Sequence, residues 1–227
     1  GLVGSEMCIR DRFCNVDPAA VIQSIDVPSI YEVPLKMHQQ HLDEIVLTKT
    51  GLPINGEPHL EPWLNFLHRM KNATKTVRIG LVGKYVELPD AYKSINESLF
   101  QAATYNDRKL DLQYIHSEKL NSGNVDAMLS SLDGVLIAPG FGQRGIEGKF
   151  IALKYAREHD IPTFGVCLGM QCMVIEYARD VLGYTDANST EMDVTTKHNV
   201  IDLMEEQKSI TNMGCLLYTS DAADDMQ

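Results

Sequence analysis

The residues that most clearly could do chemistry lie in FGVCLGMQ, residues 164–171, where Cys167 stands between two glycines. The apolar run before Cys167 is typical of a buried strand, and the run after it is typical of a helix. Strand, G-x-C-x-G turn and helix form the layout of a nucleophile elbow, with cysteine in place of serine. The helix N-terminus would favour a thiolate and leave the Leu168 N–H free for an oxyanion. A buried structural thiol is the alternative, and we adopt it for Cys172, which lies among apolar residues.

A second chemically loaded turn is PGFGQRGIEG, in which Gly140, Gly142 and Gly145 match G-x-G-x-x-G between a strand and a helix. This pattern could indicate dinucleotide binding, and Asp160 even follows Gly140 by 20 residues. The acidic residue of that fingerprint belongs at the end of the next strand, however, and Asp160 precedes that strand. We therefore predict a turn whose backbone N–H groups could donate to a developing oxyanion. A tight turn that needs glycine for positive φ is the purely structural alternative.

A catalytic cysteine needs a base, which is commonly a histidine oriented by a carboxylate. None of the seven histidines belongs to an H-x-E dyad, and we expect each to be solvated or structural. They are His38, His41, His59, His68, His116, His159 and His198.

From residue 76 the hydrophobic pattern alternates between strands and helices, which predicts an α/β fold with a doubly wound, mostly parallel sheet. Such sheets bind ligands at the carboxyl ends of their strands, where both loaded turns lie. The helix after the first strand begins with the capping-box pattern Ser94-x-x-Glu97, and Gly183 is expected to end the last helix. The predicted strands are residues 76–85, 111–117, 133–139 and 161–167.

The part of the chain before residue 76 has a different pattern. Short β-type runs are broken by Pro18, Pro28 and Pro34, and a helical patch follows with Leu42, Ile45 and Val46 on one face. EPWLNFLHRMKN, residues 61–72, predicts a helix that faces a core, with Pro62 at its start. The polar residues 72–76 are interpreted as a linker.

Composition excludes several classes of function. The chain has 227 residues and a net charge of −11, which argues against nucleic-acid or anionic-membrane partners. It contains no apolar run of about 18 residues. The five cysteines form no C-x-x-C pair, so we expect no disulfide scaffold or metal site and a cytoplasmic location. Residues 1–12 and 215–227 show no continuing periodicity, and we interpret both ends as non-native.

Four strings resemble the CTP synthase family in order and spacing: GKYVELPDAYKSINESL, APGFGQRGIEGK, FGVCLGMQCMVIEYAR and ANSTEM. They are similar to its class I glutamine amidotransferase domain, which has a flavodoxin-like fold. FCNVDPAAVIQSIDVPSIYEVP is similar to the end of its amidoligase (synthetase) domain. The resemblance implies an incomplete amidotransferase domain at residues 76–214, preceded by a short amidoligase tail and linker at residues 13–75.

The resemblance also implies a function for individual residues. Cys167 would be the nucleophile that forms a thioester with glutamine, and Gly140 and Leu168 would supply oxyanion N–H groups. The ammonia would aminate UTP to CTP in the synthetase domain, using ATP and Mg. Residues expected to contact glutamine are Gly140, Phe141, Leu168, Gly169, Met170, Gln171 and Glu191. A nucleotide site would include Ile25, Asp26 and Val27.

The chain also departs from the family pattern. No phosphate loop, magnesium carboxylates or His-x-Glu dyad occurs, and Pro139 replaces a glycine of the family's loop. We therefore expect a fragment that binds ATP and Mg insecurely and is inactive alone, whereas the intact enzyme would be a homotetramer. A Cys hydrolase on a similar sheet is an alternative, although Leu168 stands where such enzymes place a histidine. A non-catalytic glutamine-binding or assembly module is another.

Overall fold

A computed structural model describes residues 16–202, which form two compact units that divide between Ala73 and Thr74. The first unit is helical. Trp63 and Phe66 stack at 5.4 Å between ring centroids, and the Trp63 indole N–H donates to the Tyr31 carbonyl at 2.9 Å. The helix expected at residues 61–72 is confirmed, with Leu67 buried on it. The elements of this unit are 3₁₀ helices Pro18–Ala20 and Ile30–Glu32, and helices α1 (Val33–His38), α2 (Leu42–Thr50) and α3 (Glu61–Asn72).

The β-type runs expected around the first three prolines are wrong, because the first unit contains no strand between residue 16 and Ala73. Pro34 lies in the first turn of α1, where its missing N–H costs no hydrogen bond. The Ser29 hydroxyl accepts from the Tyr31 N–H at 3.3 Å, and the Asp17 carboxylate accepts from the Ala19 N–H at 3.0 Å. These local hydrogen bonds favour helical turns over strands.

The second unit is an α/β sandwich built on a parallel sheet with the strand order β2-β1-β3-β4. Each helix that follows a strand returns the chain for the next parallel strand. The elements are β1 (Lys75–Gly83), 3₁₀ helix Pro89–Tyr92, α4 (Lys93–Tyr105), β2 (Arg108–His116), 3₁₀ helix Ser117–Lys119, α5 (Val125–Leu129), β3 (Gly134–Ile137), α6 (Ile146–Glu158), β4 (Thr163–Gly165), α7 (Leu168–Asp180), β5 (Asn188–Ser189) and β6 (Asn199–Ile201).

Apolar residues on both faces hold this sheet between its helices. Val82 and Ile137 are paired across β1 and β3 and are fully buried, as a two-sided parallel sheet requires. Ile175 of α7 and Leu153 of α6 belong to the same core. The mostly parallel α/β fold predicted from the alternating pattern is therefore confirmed.

Two details of the predicted elements are wrong. The capping box does not form, because the 3₁₀ turn Pro89–Tyr92 leads directly into α4 and places Ser94 inside its first turn. The helix has no side-chain cap at its N-terminus. In addition, α7 ends at Asp180, and Gly183 adopts a left-handed φ of 78° three residues later.

Candidate active site

Cys167 lies at the end of β4 and at the N-cap of α7, as the elbow pattern predicted. Its backbone has φ 52° and ψ −113°, a combination that L-residues rarely adopt. Such a conformation costs on the order of 1–3 kcal/mol and occurs mainly at functional sites. Cys167 is exposed, whereas Cys172 is completely buried, so of these two cysteines of the described range only Cys167 is available to a substrate.

The glycines on either side of Cys167 are required by space. A Cβ at Gly165 would lie 2.5 Å from backbone atoms of Gly169 and Met170. A Cβ at Gly169 would lie 2.1 Å from the Ile137 carbonyl oxygen. The start of α7 therefore contacts the backbone of β4 and of β3, which leaves no room for a side chain at either glycine of the G-x-C-x-G pattern.

The loop after β3 meets the cysteine turn, since β3 and β4 are neighbours in the sheet. A Cβ built on Gly140 would lie 3.8 Å from a methyl carbon of Leu168, so the two candidate oxyanion donors belong to adjacent backbone segments. Within residues 16–202 neither the Gly140 N–H nor the Leu168 N–H donates a recorded hydrogen bond. Both groups therefore remain available to an acceptor from a ligand.

Two lysines that the sequence patterns did not single out bind this loop. Lys84, just after β1, donates from its Nζ to the Phe141 carbonyl. Lys149 of α6 is 1% exposed, and its Nζ donates to the Ala138 carbonyl at 2.7 Å. Burial lowers the pKa of Lys149, and the nearby charge of Lys84 acts in the same direction. The sequence feature that could have indicated the role of Lys149 is a lysine in the otherwise apolar run KFIAL.

The residues expected to contact glutamine are distributed around these two turns. Phe141 is 78% exposed and Met170 is 52% exposed, so both side chains are accessible. The Gln171 N–H donates to the Cys167 carbonyl at 3.1 Å in the first turn of α7. Glu191 is exposed, and the neighbouring Met192 carbonyl accepts from Gln143 Nε2 at 2.6 Å, which links the Glu191 segment to the loop after β3.

None of the histidines in the described range 16–202 is hydrogen-bonded to Cys167. His159 caps α6 and stacks on Tyr155 at 3.9 Å between ring centroids. His116 accepts from the Glu118 N–H at 3.3 Å. These contacts are structural and local.

One polar pair was not visible in the sequence because its members are 12 residues apart. His198 Nδ1 lies 2.5 Å from an Asp186 carboxylate oxygen, and its ring stacks on Tyr184 at 4.6 Å. The hydrogen bond with His198 is the main cause of the lowered pKa of Asp186. The pair holds together the segment that carries Glu191, since the Asn188 N–H also donates to the His198 carbonyl at 3.1 Å.

The remaining sequence predictions concern nucleotides, metals and membranes. Ile25 and Asp26 are exposed and Val27 is half-buried in an irregular segment of the first unit. No cluster of three or more His, Cys, Asp or Glu side chains within residues 16–202 could hold a metal ion. None of the described helices has the length and apolar character needed to cross a bilayer. The suspected non-native ends lie outside the described residues.

Comparison with known proteins agrees with the geometry. The family described as glutamine amidotransferase class-I matches residues 87–222, and CTP synthase N-terminus matches residues 8–52. CTP synthase of Bacteroides fragilis is 67% identical over 202 residues, and that of Porphyromonas gingivalis is 62% identical over 202 residues. Each alignment covers 89% of this chain and 38% of the relative, so the chain spans well under half the length of these proteins.

A solved structure matches the second unit's architecture. The glutaminase domain of Trypanosoma brucei CTPS with bound acivicin aligns with a TM-score of 0.55 and 40% identity. The alignment covers 62% of this chain and 54% of that one.

A parallel sheet that carries a strained cysteine between a glycine-rich loop and a helix N-terminus is consistent with a glutamine amidotransferase domain. The chain belongs to the class I glutamine amidotransferase family, whose profile matches more than half of it. The additional match to the CTP synthase N-terminus and the identities of 62–67% show that the chain corresponds to part of a CTP synthase.

Proposed function

We propose that the second unit binds glutamine and that Cys167 is its nucleophile. The observation that carries this proposal is the exposed thiol on a strained turn at the N-terminus of α7. The Cys167 thiolate would attack the side-chain amide carbon of glutamine. The amide nitrogen would take up a proton from water, and the C–N bond would break to release ammonia and leave a thioester on Cys167. Water would then hydrolyse the thioester to glutamate and restore the thiol.

The surrounding backbone suits the oxyanion of that reaction. The unpaired N–H groups of Gly140 and Leu168 would stabilise the negative charge that develops on the amide oxygen. Gly169, Met170 and Gln171 would contact the substrate from the first turn of α7. Phe141 would contact the substrate through its backbone, and the Glu191 carboxylate would attract the ammonium group of glutamine.

We further propose that the released ammonia aminates UTP to CTP in the intact enzyme, because the relatives that match both parts of the chain are CTP synthases. In that enzyme ATP and Mg would activate UTP, and Ile25, Asp26 and Val27 would contact a nucleotide. A homotetramer and a cytoplasmic location belong to the same proposal.

Labelling of Cys167 tests the proposal on this chain. Acivicin, which the Trypanosoma brucei glutaminase domain binds, should modify the folded chain once, at Cys167, as read by mass spectrometry of the digested protein. Millimolar glutamine should slow the labelling, and Cys167→Ala should abolish it. Glu191→Gln should weaken the protection by glutamine without removing the reactive thiol.

Turnover is the second measurement. Because no histidine of the described residues contacts Cys167, we expect the chain alone to release no ammonia from glutamine. Steady ammonia release that disappears in Cys167→Ala would show that a base lies within these 227 residues and would favour the Cys-hydrolase alternative. A folded chain in which acivicin does not modify Cys167 would contradict the assignment of the nucleophile.

A further inference from the structure

The turn that carries Glu191 is closed by its own hydrogen bonds. Glu191 is the third residue of this turn, residues 189–192, in which the Met192 N–H donates to the Ser189 carbonyl at 3.0 Å. The Glu191 N–H donates to the Ser189 hydroxyl at 3.2 Å, and Ser189 is only 2% exposed. These bonds lie within the turn, so they fix its shape but not its position relative to the loop after β3.

Gln143 joins the Glu191 turn to that loop, residues 138–145. Its Nε2 donates at 2.6 Å to the carbonyl of Met192, the residue that directly follows Glu191. No other hydrogen bond recorded within residues 16–202 connects the turn to the loop. The Gln143 carbonyl accepts from the Ile146 N–H at 3.3 Å, so the backbone that carries this side chain is itself held at the start of α6. The side chain therefore links the segment of the proposed oxyanion donor to the segment of Glu191.

Packing leaves room at this link. A cavity of about 500 Å³ is lined by Gln143 of the loop and by Asn188 and Met192 of the segment around the Glu191 turn. The Met192 side chain packs against the hydrophobic core, so the turn does not depend on Gln143 to remain folded. Within residues 16–202 the Glu191 carboxylate makes no hydrogen bond or ion pair of its own. The position of this carboxylate therefore follows from the backbone beside it, which Gln143 holds.

We propose that Gln143 is a positioning residue that holds the Glu191 carboxylate at the distance from the Cys167 turn that glutamine requires. The inference rests on the proposed roles of Cys167 and Glu191. Glutamine carries its ammonium group and its reacting amide at opposite ends of a short chain, so both ends bind together only when the two protein segments keep one separation. Gln143 thus favours ligands with an α-ammonium group without touching them.

The test compares two ligands that differ only in the group that Glu191 would bind. Iodoacetamide alkylates Cys167 of the whole chain at pH 8, and peptide mass spectrometry gives the ligand concentration that halves the rate. The ligands are glutamine and glutaramate, which is glutamine without its α-amino group. Gln143→Met removes the donor and keeps the side-chain length. It should raise the half-protecting concentration of glutamine roughly three- to tenfold and leave that of glutaramate unchanged.

A double variant and a matched control separate positioning from other effects. Glu191→Gln should raise the half-protecting concentration of glutamine at least as much as Gln143→Met does. Combining the two substitutions should add nothing, because Gln143 acts through Glu191. Gln101→Met makes the same change at an exposed position of α4 and should match the wild type. Gln143 is exposed, so Gln143→Met and Gln143→Ala should both keep the circular dichroism spectrum of the wild type.

The failures of the two proposals are distinguishable. If glutamine does not slow alkylation of Cys167 in the folded wild type, the glutamine site is wrong and this inference is wrong with it. If glutamine protects the wild type and Gln143→Met equally, or the losses in the double variant add in full, only the role of Gln143 is wrong. Equal weakening of glutamine and glutaramate would also overturn that role, because Gln143 would then act on the loop instead of on Glu191. Loss of the circular dichroism spectrum in both Gln143 variants would overturn it as well, since the residue would then be structural.

Discussion

At the end of β4 the chain turns under tight backbone contact, whereas the turn after β3, called the open turn below, has free space around Gly142. Added Cβ atoms at Gly165 and Gly169 would meet backbone atoms at 2.5 Å and 2.1 Å. A Cβ at Gly142 in the other turn would have nothing within 4 Å, and that residue needs glycine for its φ of +71° instead. Both turns are rich in glycine, but Gly165 and Gly169 are limited by backbone contact and Gly142 by backbone conformation.

The open turn is held by side chains. The Phe141 carbonyl accepts from Lys84, the Ala138 carbonyl accepts from Lys149, and Gln143 donates to the Met192 carbonyl. Close backbone contact between β3, β4 and α7 therefore sets the position of Cys167. The position of the proposed oxyanion loop depends instead on side-chain hydrogen bonds that a substitution can remove. Substitutions should consequently affect the two turns to very different extents.

Gly169→Ala should have the largest effect on stability. The new methyl group would collide with the Ile137 carbonyl, so α7 must move away from β3 or the backbone must bend. We expect a loss of about 3 kcal/mol or more, which in a small unit can prevent folding. The measurement is urea unfolding of the whole chain followed by circular dichroism.

Gly142→Ala is the control for this comparison, because it adds the same methyl group without a collision. Its cost should be about 1 kcal/mol, which is the strain of an L-residue at positive φ. Equal losses in the two variants would show that the turn after β4 can relax, and the distinction between the turns would then fail.

The features that could be predicted from sequence are those encoded locally or by periodicity. Apolar runs of strand length alternating with amphipathic helices predicted the parallel sheet, and the spacing in FGVCLGMQ predicted the turn at Cys167. The helix at residues 61–72 was predicted because Trp63, Leu67 and Met70 share one stripe. Resemblance to a known family supplied the residue roles that periodicity cannot provide.

The features that could not be predicted depend on which backbone groups meet in space. The fate of Lys149 depends on the Ala138 carbonyl, 11 residues away on another element. The pair of Asp186 and His198 depends on a loop closing over 12 residues. The capping box at Ser94 matched in sequence, yet the preceding 3₁₀ turn moved the helix start to Lys93. In such cases the contacts between neighbouring elements override the structure that the local sequence pattern predicts.

Cys167 and Cys172 should differ strongly in reactivity. This difference does not involve loss of the fold, so it ranks below the effect of Gly169→Ala, but it is easily measured. Burial raises the pKa of Cys172 to about 11, so only about 0.1% of it would be thiolate at pH 8, and its side chain is inaccessible. We expect iodoacetamide at pH 8 to alkylate Cys167 and leave Cys172 unmodified over the same period. Peptide mass spectrometry reads both sites in one sample.

Denaturation is the control for that difference. In urea both thiols should react at similar rates, because the unfolded chain buries neither of them and does not retain the turn at Cys167. Cys172→Ala should leave the alkylation of Cys167 unchanged. Rapid alkylation of Cys172 in the folded chain would mean that α7 opens readily, and the tight packing inferred for the turn after β4 would be wrong.

We expect the smallest effect at the exposed pair of Asp186 and His198. This pair helps to hold the segment to which Gln143 of the open turn donates a hydrogen bond. The hydrogen bond with His198 lowers the pKa of Asp186 in the folded chain. The stabilisation is therefore present above the unfolded carboxyl pKa of about 3.9 and is lost as pH falls through the lower folded value.

Asp186→Asn should lower Tm by at most about 2 °C at pH 5.5, since both side chains are exposed and screened by solvent. The difference from the wild type should shrink as the pH falls from about 4 through the lower folded pKa of Asp186, because the carboxylate is progressively protonated over that range. Thermal melts at pH 5.5 and pH 3 measure this, and His198→Gln should lower Tm at pH 5.5 without adding to the effect of Asp186→Asn. A Tm difference between Asp186→Asn and the wild type that instead persists unchanged at pH 3 would show that the carboxylate charge does not hold the segment. The anchoring of the open turn would then depend on the backbone hydrogen bond between Asn188 and His198 alone.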